Sequence, residues 1–249
     1  MFGEIKNTHA ERLDYTFHKG VEGPKNIVVL GHGVTGNKDR PFIVALAEGL
    51  AMAGVSTLRI SFSGNGVSEG KFTDSTISKE VADFGSILDV LDDYTVCYVG
   101  HSMGGAVGVL RASVDNRVKL LVSLAGMVHT KAFAHNEFGD VNPGEGFMWD
   151  EPDCPLSQAY MDDLTQINSV VDYAPQIAVP WLLVHGTEDD VVPIQDSHDI
   201  FDKANKPKQL IEIEGAGHVF GDEYTPLMVE KVINWIEAQF AEFSEESRA

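Results

Sequence analysis

Six short apolar runs recur along the chain, separated by segments of helical periodicity. Asn26 to His32 (NIVVLGH), Ser56 to Phe62 (STLRISF), Thr95 to His101 (TVCYVGH), Lys119 to Gly126 (KLLVSLAG), Pro180 to Gly186 (PWLLVHG) and Gln209 to Gly215 (QLIEIEG) read as strands. The first, third and fifth are almost continuously apolar, the pattern of parallel strands buried on both faces. The last alternates apolar with polar residues, which places it at a sheet edge. Ile77, Val81, Phe84, Leu88 and Leu91 recur at three- and four-residue spacing, the stripe of an amphipathic helix. Arg40 to Gly54 has the same character, with Pro41 near its start and Gly54 just past its end. Thr225 to Phe240 predicts a final helix with Thr225 as its cap and Pro226 at its first position. The tail from Glu242 to Ala249 is expected to fray.

Strand and helix in alternation imply right-handed crossovers, hence an α/β fold: a mostly parallel, twisted sheet with helices on both faces. The 249 residues are read as one domain, residues 1–249. Met127 to Asp172 breaks the rhythm. It is too long for a simple connection and mixes turn residues with Phe133, Phe138, Phe147, Met148, Trp149 and Tyr160. That content predicts an inserted cap, about residues 127–172, and not a disordered linker.

Composition narrows the partners. With 18 basic against 38 acidic residues the net charge is -20, and no Lys/Arg-rich run interrupts it. The footprint of a nucleic-acid binder is missing, and anionic membranes and strongly anionic substrates are disfavoured. Two cysteines, Cys97 and Cys154, are too few for a disulfide framework and lack metal-ligand spacing, and Cys97 falls in an apolar strand where a buried thiol is expected. The N-terminal residues lack a basic head followed by an apolar stretch, and no window has the length of an apolar membrane span. The expectation is a cytoplasmic protein, and a monomer and a homodimer both fit the sequence.

The chemistry begins at Gly100-His101-Ser102-Met103-Gly104, which ends an apolar strand and opens a helix of small residues, GGAVGVLRA. A serine on so sharp a turn needs minimal side chains two residues before and after it, and its hydroxyl then stands at the tip of the sheet. Serine is a weak nucleophile without an adjacent base that is oriented by a third group. His218, in the glycine-rich stretch EGAGHVF between the last strand and the last helix, is the candidate base. His101 is expected to point away from the site, and His185 to pack or hydrogen-bond locally. The acid should follow a strand between serine and histidine, where Glu188, Asp189 and Asp190 are all available.

VGHSMGG, HGTEDDVVP and GAGH, in that order, resemble the serine α/β-hydrolase family over nearly the whole chain outside the insert. The resemblance implies an α/β-hydrolase fold and a Ser102-His218-Asp189 triad, because the family's acid is the fourth residue of the turn that Gly186-Thr187-Glu188-Asp189 matches. It also implies an oxyanion hole made by the backbone N–H groups of Met103 and of Val34, the latter following His32-Gly33. His32 and Gly33 themselves are read as loop anchors. HGVTGNKDRPF and RISFSGNGVSEGKF resemble the branch that includes bacterial cinnamoyl and feruloyl esterases, and the SGNG loop is read as a structural turn. The implied activity is a carboxylesterase acting on a small-molecule ester. No metal or organic cofactor is implied, since nucleophile, base and acid are all side chains. The same triad would serve a thioesterase, a monoacylglycerol lipase or a peptidase, and a non-catalytic binding protein of this fold is the remaining alternative.

Overall fold

A computed structural model of the chain describes residues 2–21 and 25–246. The strands are β1 (Ile5–Lys6), β2 (Arg12–His18), β3 (Asn26–Gly31), β4 (Ser56–Ser61), β5 (Thr95–His101), β6 (Val118–Leu124), β7 (Trp181–Gly186) and β8 (Lys208–Ile213). They form one sheet in the order β1-β2-β4-β3-β5-β6-β7-β8, antiparallel at β1–β2 and β2–β4 and parallel elsewhere. The alternating strand β8 lies at an edge, as its pattern predicts. The opposite edge is the N-terminal pair β1–β2, which carries its own two-residue alternation in Leu13, Tyr15 and Phe17 but was not among the predicted strands.

Alternate residues of the parallel strands feed two cores. Val28, Leu30, Cys97, Val99, Leu182 and Val184 pack beneath α1 (Pro41–Met52) and α7 (Gly221–Glu246). Ile27, Val29, Val96, Tyr98, Leu121 and Leu183 face the other way, toward α2 (Ile77–Val90), α3 (Met103–Ala112) and α6 (Ile194–Lys203). Burial on both faces is why the central strands read as unbroken apolar runs. Pro41 opens α1 and Gly54, at φ 92°, follows its end, as predicted. Thr76 caps α2 by accepting from the Lys79 N–H at 3.2 Å. Cys97 is fully buried, and burial pushes its thiol pKa up.

The last helix departs from expectation at both ends. It starts at Gly221, one turn early, so Thr225 does not cap it; its hydroxyl donates back to the Gly221 carbonyl at 2.6 Å. Pro226 therefore lies inside the helix, where it lacks the N–H that would donate to the Asp222 carbonyl. The helix continues through Glu246 where fraying was expected, and residues 247–249 of that tail lie outside the described residues. Among the described residues no helix is long and apolar enough to cross a membrane.

Between β6 and β7 the chain builds a layer of its own from α4 (Thr130–Phe138), α5 (Gln158–Ile167) and two short 3-10 turns. Phe133, Phe138 and Tyr160 are buried in it, with ring centroids 6.0 Å apart for Phe133–Phe138 and 6.1 Å for Phe138–Tyr160. Trp149 sits edge-on to this cluster at 40% exposure, its indole N–H donating to Glu137 at 2.8 Å.

Strand register brings the functional ends together. Gly31 pairs with Gly100, and Gly100 with Ser123, so the loops after β3, β5 and β6 leave the sheet side by side. Helix α3 crosses the exit of β6 so closely that a Cβ on Gly105 would stand 2.8 Å from the Gly126 Cα. Alanine gains at most about 1 kcal/mol of helix propensity over glycine, whereas overpacking against backbone costs about 1–3 kcal/mol. Gly105→Ala is therefore expected to lower the urea midpoint; a midpoint equal to or above that of the unsubstituted protein would contradict this packing.

Candidate active site

Ser102 stands between β5 and α3 with φ 53° and ψ -118°, a conformation that side chains adopt only when the surroundings impose it. Its N–H donates to the Leu124 carbonyl at 3.0 Å, and its own carbonyl accepts from Gly105 at 2.8 Å and Met127 at 3.0 Å. The flanking glycines have the steric role expected of them. A Cβ on Gly100 would collide with the Gly104 carbonyl, and one on Gly104 would lie 2.6 Å from the His32 carbonyl oxygen.

The loop after β3 reaches the same point. A Cβ on Gly33 would meet the Ser102 Cβ at 2.7 Å and its Oγ at 3.2 Å, so glycine alone allows this approach. Val34 follows in a turn closed by Gly36 N–H donating to the Gly33 carbonyl at 3.0 Å. Met103 is the first residue of α3, where backbone N–H groups have no partner within the helix and carry the positive end of its dipole. His32 anchors this loop. Its Nε2 accepts from the Phe62 N–H at 3.0 Å, and its Nδ1 lies 2.9 Å from the Gly33 carbonyl, so the proton sits on Nδ1. The SGNG turn beyond Phe62 is held by Asp83 accepting from the Ser63 N–H at 2.8 Å and by Asn65 donating to Ser75 at 2.9 Å.

Two loops at the other end of the sheet are zipped together. The Thr187 N–H donates to Ile213, Glu188 N–H to Ala216, and Gly215 N–H to the Thr187 hydroxyl, at 3.0, 3.0 and 2.9 Å. This zipper sets Asp189 against His218: Oδ2 to Nδ1 is 2.9 Å. The other oxygen, Oδ1, accepts from the Val191 and Val192 N–H groups at 2.9 and 2.8 Å. Burial pushes the Asp189 pKa up, but the hydrogen bonds from His185, His218 and Val192 outweigh it, and the carboxyl is held well below the usual range. Of the neighbouring acids, Glu188 has its backbone in the zipper and Asp190 lines a separate cavity with His129 and Phe133.

Ser102 and His218 line one cavity of about 290 Å³, with Val34, Phe42, Trp149 and Val191 among its apolar walls and Arg40 and Glu151 at its rim. His101 also lines it, contrary to expectation. Its ring lies 4.7 Å from that of His218 and 4.7 Å from that of Phe42, and Nε2 donates to the His218 carbonyl at 2.9 Å. His101 continues the alternation of Cys97 and Val99 on the face of β5 covered by α1 and α7, and this sets its ring against Phe42 and the loop that follows β8. His185 does bond locally, as expected, but its partners include the surroundings of Asp189, which the sequence signals only through a four-residue spacing.

Burial pushes His32 down to about 4, and burial together with the His218 charge pushes His101 down to about 3. The unfolded chain takes up these protons near pH 6.5 and the folded chain does not, so stability falls as pH drops from about 6.5 toward 4. The His32→Asn variant is expected to show a shallower loss of melting temperature across that window than the unsubstituted protein; parallel curves would refute the role given to His32.

The alpha/beta hydrolase family model matches residues 27–227 of the chain. The protein YfhR of Salmonella typhi, itself uncharacterized, is 25% identical over 222 residues, covering 84% of this chain and 70% of that protein. Est1E from Butyrivibrio proteoclasticus, solved with ferulic acid bound, superposes with a TM-score of 0.84 at 26% identity, over 96% of this chain and 99% of that one. Mouse alpha/beta hydrolase domain-containing protein 10 shares the fold, with a TM-score of 0.80 at 21% identity over 95% and 98% of the two chains. The sheet order, the turn at Ser102 and the matched span agree: this chain belongs to the alpha/beta hydrolase family.

Proposed function

We propose that the protein is a serine carboxylesterase that cleaves small to medium carboxylic esters through an acyl-enzyme. One observation carries the reading: His218 is hydrogen-bonded to a buried Asp189 and shares a mostly apolar cavity with Ser102 on its strained turn. With Nδ1–H committed to Asp189, His218 Nε2 is left as the base. It takes the Ser102 proton as Oγ bonds to the ester carbonyl carbon. The N–H groups of Met103 and Val34 receive the charge that develops on the carbonyl oxygen. When the C–O bond breaks, the alcohol leaves with the proton from His218, and water releases the acyl group by the same path. The segment between β6 and β7 serves as a cap whose Trp149 walls the acyl cavity. Likeness to Est1E, with its bound ferulic acid, supports aromatic acyl esters of the feruloyl or cinnamoyl type as substrates to test.

Hydrolysis of p-nitrophenyl esters of graded chain length and of methyl ferulate tests this reading. Ser102→Ala is expected to lose at least about a thousandfold in kcat and to lose labelling by a fluorophosphonate. Asp189→Asn is expected to fall by orders of magnitude while Asp190→Asn stays within a few-fold of the unsubstituted enzyme. Equal activity with and without Ser102 would end the proposal, and comparable losses at Asp189 and Asp190 would end the choice of acid.

A further inference from the structure

A second imidazole meets Asp189 at the oxygen that holds His218: His185, near the end of β7. It is fully buried. Nε2 donates to the Val192 carbonyl at 2.9 Å and stands 3.2 Å from Asp189 Oδ2. Both neighbours are acceptors only, so the proton is on Nε2. Nδ1 lies 2.7 Å from the Ser197 hydroxyl of α6, a group that can donate to it. Ser197 is itself 1% exposed. The ring thus has a defined partner at each nitrogen, and its proton-bearing edge faces the carboxylate that orients His218.

We propose that His185 is a positioning residue for the Asp189–His218 pair, with Ser197 setting its tautomer. This rests on the reading of Ser102, His218 and Asp189 given above. His185 acts on the carboxylate by two routes. Its contact with Oδ2 restricts that oxygen directly, and its bond to the Val192 carbonyl holds the loop whose Val191 and Val192 N–H groups grip Oδ1. Oδ2 is therefore divided between two imidazoles, and each donor that draws on it leaves a less basic carboxylate for the other. His185 thereby restrains the pull of Asp189 on the His218 proton, so that His218 gives it up more readily to the leaving alcohol.

The charged and titratable groups around the pair are few. From β5, His101 lies against the His218 ring. From α6, Asp196 accepts from the Val128 and His129 N–H groups, and Arg40 lines the cavity with His101. All of these residues are retained when His185 is exchanged.

The sign follows. Without the Nε2–H, Asp189 is more basic and holds protonated His218 more tightly, so the acid limb of kcat/KM moves to higher pH. His185→Phe fills the space without the donor. It is expected to lower kcat about tenfold with KM within about twofold, and to raise the acid limb by about half a pH unit. His185→Gln, whose amide N–H can take the Nε2 position, should recover part of both effects. Ser197→Ala should shift the limb the same way by less. Melting curves establish that each variant is folded, and if His185→Phe is not, Ser197→Ala decides. A folded variant with unchanged kcat and acid limb overturns the proposal, as does an equal kcat loss in the Phe and Gln variants with an unmoved limb. The underlying reading fails in a different way: Ser102→Ala and Asp189→Asn would keep full turnover, and the His185 proposal would fall with it.

Discussion

Everything at the C-terminal ends of the central strands depends on one backbone turn. A non-glycine residue at φ 53° and ψ -118° costs about 1–3 kcal/mol, and nothing local favours it. Ser102 holds that geometry because its N–H and carbonyl are bonded to Leu124, Gly105 and Met127, and because Gly33, Gly100 and Gly104 let three backbones pass at distances no side chain tolerates. The turn sits on β5, a strand flanked on both sides by parallel neighbours in the middle of the sheet, so relaxing it would mean repacking the core. The strain is fixed where the structure is least able to yield. That is what places a hydroxyl, a helix N-terminus and the Val34 loop at one point.

The histidines around this turn act as rigid connectors. His32 ties the end of β4 to the loop after β3, and His101 ties the end of β5 to the backbone of His218. Burial keeps both rings unprotonated well below neutrality, so each nitrogen keeps a fixed role as donor or acceptor. The price is acid sensitivity, because unfolding frees both rings to take up protons. The buried acids Glu80 and Asp83 on α2 have pKa values raised by burial and pull the other way, so their contribution is largest at low pH and fades as pH rises.

Local chemistry explains what the sequence made legible. Unbroken apolar runs identified the parallel strands because those strands are buried on both faces, and VGHSMGG, HGTED and GAGH identified the functional loops because each requires particular residues at fixed spacing. The order of those strands in the sheet is a tertiary property that no run encodes. His101 reaches the site by plain alternation with Cys97 and Val99, but that the loop of His218 comes back over this face is a tertiary property that the run does not encode. The reach of His185 to Asp189 leaves only a four-residue spacing as its mark, because a histidine near a strand end looks alike whether or not the next loop folds back over it. Thr225 and Pro226 spelled a helix start, yet Phe220 at φ 60° begins the helix a turn earlier.

The segment between β6 and β7 shows why substrate choice is the least legible property. Its two ends are tied to each other and to the site: Val170 N–H donates to Val128 at 2.9 Å, and Asp196 accepts from the Val128 and His129 N–H groups at 2.8 and 3.1 Å. Met127, at its entrance, bonds the Ser102 carbonyl. A segment closed at its base in this way can change in length at small entropic cost, since loop closure grows only slowly with length. Its aromatic residues pack on one another and join the apolar core shared with α2 and α3, where size and apolarity matter more than residue identity. Ser102 is thus held by constraints that leave a distinct mark on the sequence, while the wall facing it is held by packing among apolar side chains, which several residue types can supply. Only the first of these can be read from residue spacing; the second must be read from the cavity.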